Sequence, residues 1–399
     1  MTTGAPLALL TNESSVGVIG AGAMGSGIAQ LAASYGHNVA LADITSTALQ
    51  RARGAIEKNL KGQVEKGRIE EAQARSILGR ITFTEEINTC AICPIVIEAV
   101  IEDLALKQEL FKRLDEVASA DTILATNTSS LSVASIASAC KKKQSRVLGL
   151  HFFNPPMVLP LVEIIPSLST DPRVVDTTKA LVTGWGKTAV VARDLPGFIV
   201  NRIARPFYGE ALRIFEEGMA DRATIDWAMR EIGGFKMGPF ELMDFIGNDI
   251  NYKVSESVFE AFYYDPRYRP SITQKRLVES GRLGRKTLQG HYCYKPDAPG
   301  PAPKQDETLG KEIFMRILAM LINEAVDAVF MQVASPADID LAMVKGVNYP
   351  KGLLKWADEI GLKKILNKLE SLQEEYGEDR YRASALMKRM TKKPQKFFS

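Results

Sequence analysis

Residues 15–27 read SVGVIGAGAMGSG, and this stretch decides the fold. Residues 15–19 form a short apolar run of the kind a buried strand shows. Glycines at 20, 22 and 25 follow as G-x-G-x-x-G, and helical periodicity begins near Met24. Gly20 permits the tight turn, Gly22 lets a pyrophosphate approach the backbone, and Gly25 allows close helix–strand packing. Phosphates would rest at the helix N-terminus, where free N–H groups and the dipole favour negative charge. Residues 37–43 (HNVALAD) alternate and end on Asp43, so they read as a second strand. A carboxylate there accepts hydrogen bonds from a ribose 2′-hydroxyl and repels a 2′-phosphate. Its neighbours Ile44 and Thr45 bring no cation, so the expected cofactor is NAD rather than NADP. Gly20, Gly22, Ala23, Met24, Gly25 and Asp43 are the expected contacts. A glycine turn beside an unrelated surface aspartate is the alternative, and the strand–turn–helix context argues against it.

The same alternation continues outward. Residues 46–79 are charged and periodic, and suggest two antiparallel helices. The runs RITF, CPIVIEAV, DTILATN and RVLGLHFF are separated by helix-like segments, and LVEIIP and TAVVA add strands up to about Arg193. Strands alternating with helices imply an α/β fold with a Rossmann-type doubly wound sheet, over residues 1–194. The texture turns helical at Asp194-Leu195-Pro196-Gly197. A first helical domain is expected over 195–295 and a second over 305–399, joined by KPDAPGPAPKQD (295–306). The two repeat each other. Residues 202–247 align with 316–361 without a gap at an offset of 114, and 14 of the 46 pairs are identical. Ungapped agreement over that length favours duplication of an all-α domain.

Composition narrows the classes. The net charge is +3, from 50 basic and 47 acidic residues in 399, too balanced to argue for nucleic acid or anionic membranes. The four cysteines are too scattered for a disulfide framework, and CAIC (90–93) lacks a second pair to complete a metal site. No apolar run reaches the ~18–20 residues of a membrane span. The N-terminal MTTGAPLALLTNESS lacks a basic start and a long apolar core, so no signal peptide is expected. A reduced, cytoplasmic compartment follows, with no metal, nucleic-acid or membrane partner.

A nicotinamide cofactor means hydride transfer, and a hydride leaves an alcohol carbon only if the hydroxyl proton leaves too. The chain has three histidines, and His151 lies at the end of a candidate strand, where ligands bind in open α/β folds. Imidazole titrates near ~6.5, which suits proton exchange at neutral pH. Glu163 is a lone carboxylate in the apolar strand LPLVEIIP, costly to bury without a partner. A strand pair joined through NPPMVLP would bring it to His151. A satisfied core histidine remains the other reading of these residues.

Seven segments, in order, carry a resemblance: GAGAMGSGIAQ, EAVIEDLALKQELF, TNTSSLSVASIA, GLHFFNPPMVLPLVEII, DLPGFIVNRI, GFKMGPFELMDFIG and GRLGRKT. Together they resemble the L-3-hydroxyacyl-CoA dehydrogenases over roughly residues 15–295. The tail from about 305 is similar to the second helical repeat in the dehydrogenase half of multifunctional β-oxidation enzymes. The resemblance implies a free-standing, NAD-dependent dehydrogenase that oxidises a 3-hydroxyacyl-CoA reversibly to the 3-oxoacyl-CoA. It makes His151 the acid/base, Glu163 its partner, and Ser129 and Asn201 the groups that hold the substrate oxygen. It places Glu102, Lys107, Asn154 and Lys286 against the cofactor, and Asn59 and Lys66 against the CoA nucleotide.

The residues by themselves leave alternatives. Ser129 would suit a cap for a helix starting near Leu131, Asn201 a structural amide, and Glu102 with Lys107 a solvated helix face. FEAFYYDPRYRPS (259–271) is similar to members acting on 3-hydroxyadipyl-CoA, where Arg267 or Arg269 would meet a distal carboxylate, or it is a surface loop. A structural NAD-binding protein on the same fold is the non-enzyme reading. In the second repeat Asn201 maps to Met315, so that copy is expected to be non-catalytic. It is expected to pack on the first copy as an intrachain pseudo-dimer, giving a monomer; otherwise the chain pairs as a homodimer, as shorter members do.

Overall fold

A computed structural model describes residues 10–11, 13–298 and 300–398. The N-terminal stretch read for targeting signals lies mostly outside the described residues. The chain divides into two units, Met1–Leu195 and Pro196–Ser399.

The first unit holds an eight-stranded sheet: β1 (Val16–Ile19), β2 (Val39–Ala42), β3 (Ile81–Thr84), β4 (Ile95–Glu98), β5 (Ile123–Thr126), β6 (Val147–Phe152), β7 (Leu161–Pro166) and β8 (Thr188–Val191). Their order is β3-β2-β1-β4-β5-β6-β7-β8. β1 to β6 are parallel, and β7 runs antiparallel to β6. The reversal has a simple cause. Residues 153–160 between β6 and β7 are too few for a crossover, which needs a dozen or more. β1, β2, β4 and β5 are buried along their whole length, as expected where helices cover both faces. The order reverses at β1, which has β2 on one side and β4 on the other, so a ligand crevice opens beyond their C-terminal ends. Helix Ala23–Ser34 starts at the glycine turn and buries Ile28 and Leu31 against this sheet. Helix Leu104–Val117 starts where Asp103 accepts from Leu106 N–H at 2.8 Å, and buries Phe111 and Leu114. CAIC is structural: the thiol of Cys90 donates to backbone carbonyls of Val18 and Ala40, and burial pushes its pKa up to about 12.

The second unit is helical. The two helical stretches expected as separate domains share one compact unit, Pro196–Ser399. Helix Glu307–Phe330 runs through the core, burying Ile313, Ile317, Leu321 and Val326. Local devices recur at the offset of 114. Asp226 accepts from Phe240 and Glu241 N–H, each at 2.9 Å, and Asp340 accepts from Leu354 and Lys355 N–H at 2.8 and 2.9 Å. A Cβ on Gly238 or Gly352 would lie 2.3 Å from the respective aspartate, so only glycine fits.

Reciprocal ion pairs cross between the copies. Arg202 Nε donates to Glu324 at 2.6 Å, and Arg316 Nε donates to Glu210 at 2.6 Å. Tyr268 Oη donates to Glu324 at 2.6 Å, and Tyr381 Oη donates to Glu210 at 2.7 Å. A pattern in which i meets j and j meets i is that of a two-fold interface. Burial raises the pKa of both glutamates. Arg380 and Arg316 outweigh this at Glu210, as Arg202 and Arg267 do at Glu324, so both carboxyls are held below their ordinary range. Arg267 therefore does not serve a distal substrate carboxylate. It is buried, with Nη1 3.3 Å from both Glu324 and Asp327, while Arg269 is exposed.

Candidate active site

The glycine turn borders a cavity of about 870 Å³ in the first unit. Gly20 has φ +102°, and a Cβ there would lie 2.6 Å from the Ala99 carbonyl. A Cβ on Gly25 would lie 1.8 Å from Gly20 O, so its absence lets the helix pack. A Cβ on Gly22 would meet nothing within 4 Å. The backbone at Gly22 is thus open at the N-terminus of a 12-residue helix, which fits a pyrophosphate. Asp43 Oδ2 accepts from Ala21 N–H at 2.8 Å, and Oδ1 accepts from Thr45 N–H at 3.1 Å. These bonds fix the carboxylate on the cavity wall, where a ribose would hydrogen-bond to it. Gly20, Gly22, Ala23 and Asp43 line the cavity, while Met24 and Gly25 act behind it. Sequence reasoning missed Ile44, Val100, Ile101, Arg51 and Arg113 on the same wall. The signal available for the first three was position, immediately past the ends of β2 and β4.

His151 and Glu163 face each other across the antiparallel β6–β7 pair, in direct register. Nδ1 lies 2.7 Å from Glu163 Oε2, with Glu163 fully buried and His151 6% exposed. A carboxylate only accepts, so this pairing puts the proton on Nδ1 and leaves the lone pair on Nε2. Phe153 packs on the imidazole at 4.5 Å between ring centres. Asn154, three residues past His151, is exposed and precedes Pro155 through a cis peptide bond.

Ser129 lies just past the end of β5, and it is not a helix cap. The short helix Val133–Ala137 is capped by Ser132, which accepts from Ser135 N–H. The Ser129 turn is organised by Glu102 Oε1, which accepts from the N–H groups of Ser129 and Ser130 at 2.9 and 3.1 Å. The hydroxyls of Thr128 and Ser130 also donate to it, at 2.7 and 3.0 Å. Burial pushes the Glu102 carboxyl up, but Lys107 and these donors outweigh it and hold its pKa below the ordinary value. Lys107 is not on the cavity wall. It is 1% exposed, with Nζ 2.5 Å from Glu98 and 3.4 Å from Glu102. Glu98, Thr126 and Asn127 were also missed: Thr126 meets Glu98 from 28 positions away, and Asn127 meets Phe152 from 25 positions away.

The remaining expected residues fall elsewhere. Asn59 Oδ1 accepts from Gln30 and Gln63 amides at 2.8 and 2.7 Å, and Lys66 is exposed at the end of helix Ser46–Glu65. In the second unit, Asn201 lies in helix Val200–Ile203 and its carbonyl accepts from Arg205 Nε at 2.8 Å. Lys286 Nζ is bound to both oxygens of Asp249 at 2.7 Å. Among the described residues, no three His, Cys, Asp or Glu side chains gather as a metal site, and no helix is long and apolar enough to cross a membrane.

Comparison with known proteins agrees with this geometry. The NAD-binding domain of 3-hydroxyacyl-CoA dehydrogenase matches residues 15–195, and the C-terminal domain of the same family matches 197–294 and again 313–396. The chain is 37% identical to a 3-hydroxyadipyl-CoA dehydrogenase of Escherichia coli, covering 95% of this chain and 98% of that one. It is 41% identical to the human mitochondrial hydroxyacyl-coenzyme A dehydrogenase, over 70% of this chain and 91% of the relative. A crystal structure of 3-hydroxybutyryl-CoA dehydrogenase from Escherichia coli superposes with a TM-score of 0.90, at 37% identity over 95% of this chain and 98% of that one. A glycine turn with its ribose-side carboxylate and a His–Glu pair on the same sheet are what such an enzyme needs, and the chain belongs to the 3-hydroxyacyl-CoA dehydrogenase family as an NAD-dependent oxidoreductase.

Proposed function

We propose that His151 is the acid/base of a reversible oxidation of a short-chain L-3-hydroxyacyl-CoA to the 3-oxoacyl-CoA. The observation that carries this is the His151–Glu163 pair, 2.7 Å apart at the C-terminal end of β6, the edge where the glycine turn also lies. NAD⁺ bound at the glycine turn supplies the hydride acceptor. Nε2 of His151 takes the proton from the C3 hydroxyl, and the buried Glu163 carboxylate stabilises the imidazolium that results. The Ser129 hydroxyl, presented by the Glu102-bound turn, holds the reacting oxygen. The family resemblance assigns Asn201 the second hydrogen bond to that oxygen. It also assigns Asn154 and Lys286 to the cofactor, and Asn59 and Lys66 to the CoA nucleotide.

Two substrates are supported by relatives, a 3-hydroxybutyryl-CoA and a 3-hydroxyadipyl-CoA. The burial of Arg267 in its ion cluster favours the first, leaving only the exposed Arg269 of that loop for a distal carboxylate. Steady-state assays with both 3-oxoacyl-CoA thioesters and NADH test this, expecting the higher kcat/KM for the four-carbon substrate. A preference for the six-carbon dicarboxylate would reverse it. No turnover of either would remove the catalytic reading in favour of a structural NAD-binding protein.

We also propose that the second helical repeat stands in for a partner subunit, supported by the reciprocal Arg202–Glu324 and Arg316–Glu210 pairs. Light scattering should give a monomer mass. A reducing, cytoplasmic compartment is supported by the burial of Cys90, Cys93 and Cys140 as thiols in the core.

A further inference from the structure

Glu98 is a buried carboxylate that the chemistry above does not use. It ends β4 and none of it is exposed. A charge in that position is costly unless it is paired, so its partners say what it is for. Oε1 accepts from Lys107 Nζ at 2.5 Å and from Val100 N–H at 2.7 Å. Oε2 accepts from the Thr126 hydroxyl at 2.6 Å. Lys107 reaches on to Glu102 at 3.4 Å. One buried ammonium is thus shared by two carboxylates, Glu98 inside and Glu102 towards the surface.

Both carboxylates grip one short segment. Glu98 holds Thr126 at its foot, and Glu102 holds Thr128, Ser129 and Ser130 at its tip. Asn127 between them is committed the other way, its Oδ1 accepting from the N–H of Phe152, next to His151, at 2.8 Å. Segment 126–130 is therefore fixed on one side to the Glu98–Lys107–Glu102 ladder and on the other to the strand that carries the imidazole.

We propose that Glu98 is a positioning residue: through Lys107 and Thr126 it sets the Ser129 turn against the His151 strand, so that hydroxyl and imidazole meet the same substrate oxygen. This rests on the role for Ser129 given above. Without the Glu98 charge, Lys107 is left with Glu102 as its one carboxylate among these partners. The ammonium then draws on the oxygens that the turn's N–H groups use. Displacing a reacting group by about 1 Å costs up to ~10²-fold in rate.

The test is a double-mutant cycle in the full chain, with Glu98→Gln, Ser129→Ala and their combination, assayed with acetoacetyl-CoA and NADH. Glu98→Gln should lower kcat roughly 10- to 10²-fold, with KM for acetoacetyl-CoA within about threefold. On the Ser129→Ala background the same change should cost less than about twofold, because the group it positions is gone. A merely structural ion pair would lower stability and leave the folded enzyme's kcat alone. Independent losses that multiply in full, an unchanged kcat, or an effect confined to the KM for NADH overturns the proposal. If Ser129→Ala by itself keeps full kcat, the assigned role of Ser129 fails and the proposal fails with it. If Ser129→Ala is slow but the losses multiply, only the ladder fails. Should Glu98→Gln not fold, Thr126→Val replaces it in the same cycle with an expected loss of roughly 3- to 10-fold.

Discussion

Replacing Glu163 by Gln removes one charge and almost no volume from the centre of the reaction. Glu163 is fully buried, with Oε2 2.7 Å from Nδ1 of His151. A Gln oxygen can still accept from Nδ1–H, so the imidazole keeps its orientation and tautomer. What is lost is the attraction between carboxylate and imidazolium. For unit charges about 4 Å apart at an effective dielectric near 20 this is about 4 kcal/mol. The imidazolium exists after proton abstraction and not before, so the loss falls on the transition state. At 1.36 kcal/mol per tenfold, kcat should drop roughly 10³-fold. The assay is kcat for 3-hydroxybutyryl-CoA oxidation by NAD⁺, followed by the appearance of NADH absorbance, with NADH affinity and a denaturation midpoint measured alongside. A loss smaller than about tenfold in a folded variant that binds NADH normally would refute the reasoning, since it would mean the imidazolium needs no buried partner.

Other outcomes follow from the same geometry. Asp43→Asn removes the charge that meets a ribose, and should raise the KM for NADH about 10- to 10²-fold while narrowing the preference over NADPH, read from paired kinetics. Glu324→Gln leaves Arg202 and Arg267 buried without their main carboxylate, and should destabilise the chain by about 3–5 kcal/mol in guanidinium. Glu210→Gln, its counterpart in the other copy, should cost a similar amount, and a change below about 1 kcal/mol for either would mean the clusters do not hold the copies together. His291 is held by burial, and by Arg222, at a pKa of about 3. The unfolded chain protonates it near ~6.5, so its contribution is complete above that pH and is lost as pH falls towards 3. At pH 5 the loss is about 2 kcal/mol. His291→Leu should flatten the difference in denaturation midpoint between pH 7 and pH 5, and an unchanged difference would show that His291 is not its source.

Much of the site was readable because its logic is local. The glycine turn, its strand and its helix lie within 15–34, and the close approach that Gly25 permits, to the Gly20 carbonyl, is made inside that unit. Asp43 follows from the end of the next strand. The His151–Glu163 pair was also readable, because a connection as short as 153–160 can only return antiparallel, and that sets which residues stand opposite. From the sequence Arg267 reads either as an anchor for a distal carboxylate or as part of a surface loop, and its burial in an ion cluster fits neither reading. Its carboxylate partners lie 57 and 60 positions away.

By itself, then, the sequence determined the cofactor turn, the pairing of His151 with Glu163, and the duplication, since each is written in spacing along one chain. Tertiary structure alone decided that Lys107 lies beneath the Ser129 turn rather than on the cavity wall. It alone decided that Glu98 grips that turn from inside, and that Arg202 and Arg316 pair with the opposite copy instead of their own. The physical reason is common to all three. A buried charge must find a counter-charge, and which one it finds depends on how elements distant in sequence pack, not on the pattern of residues around it.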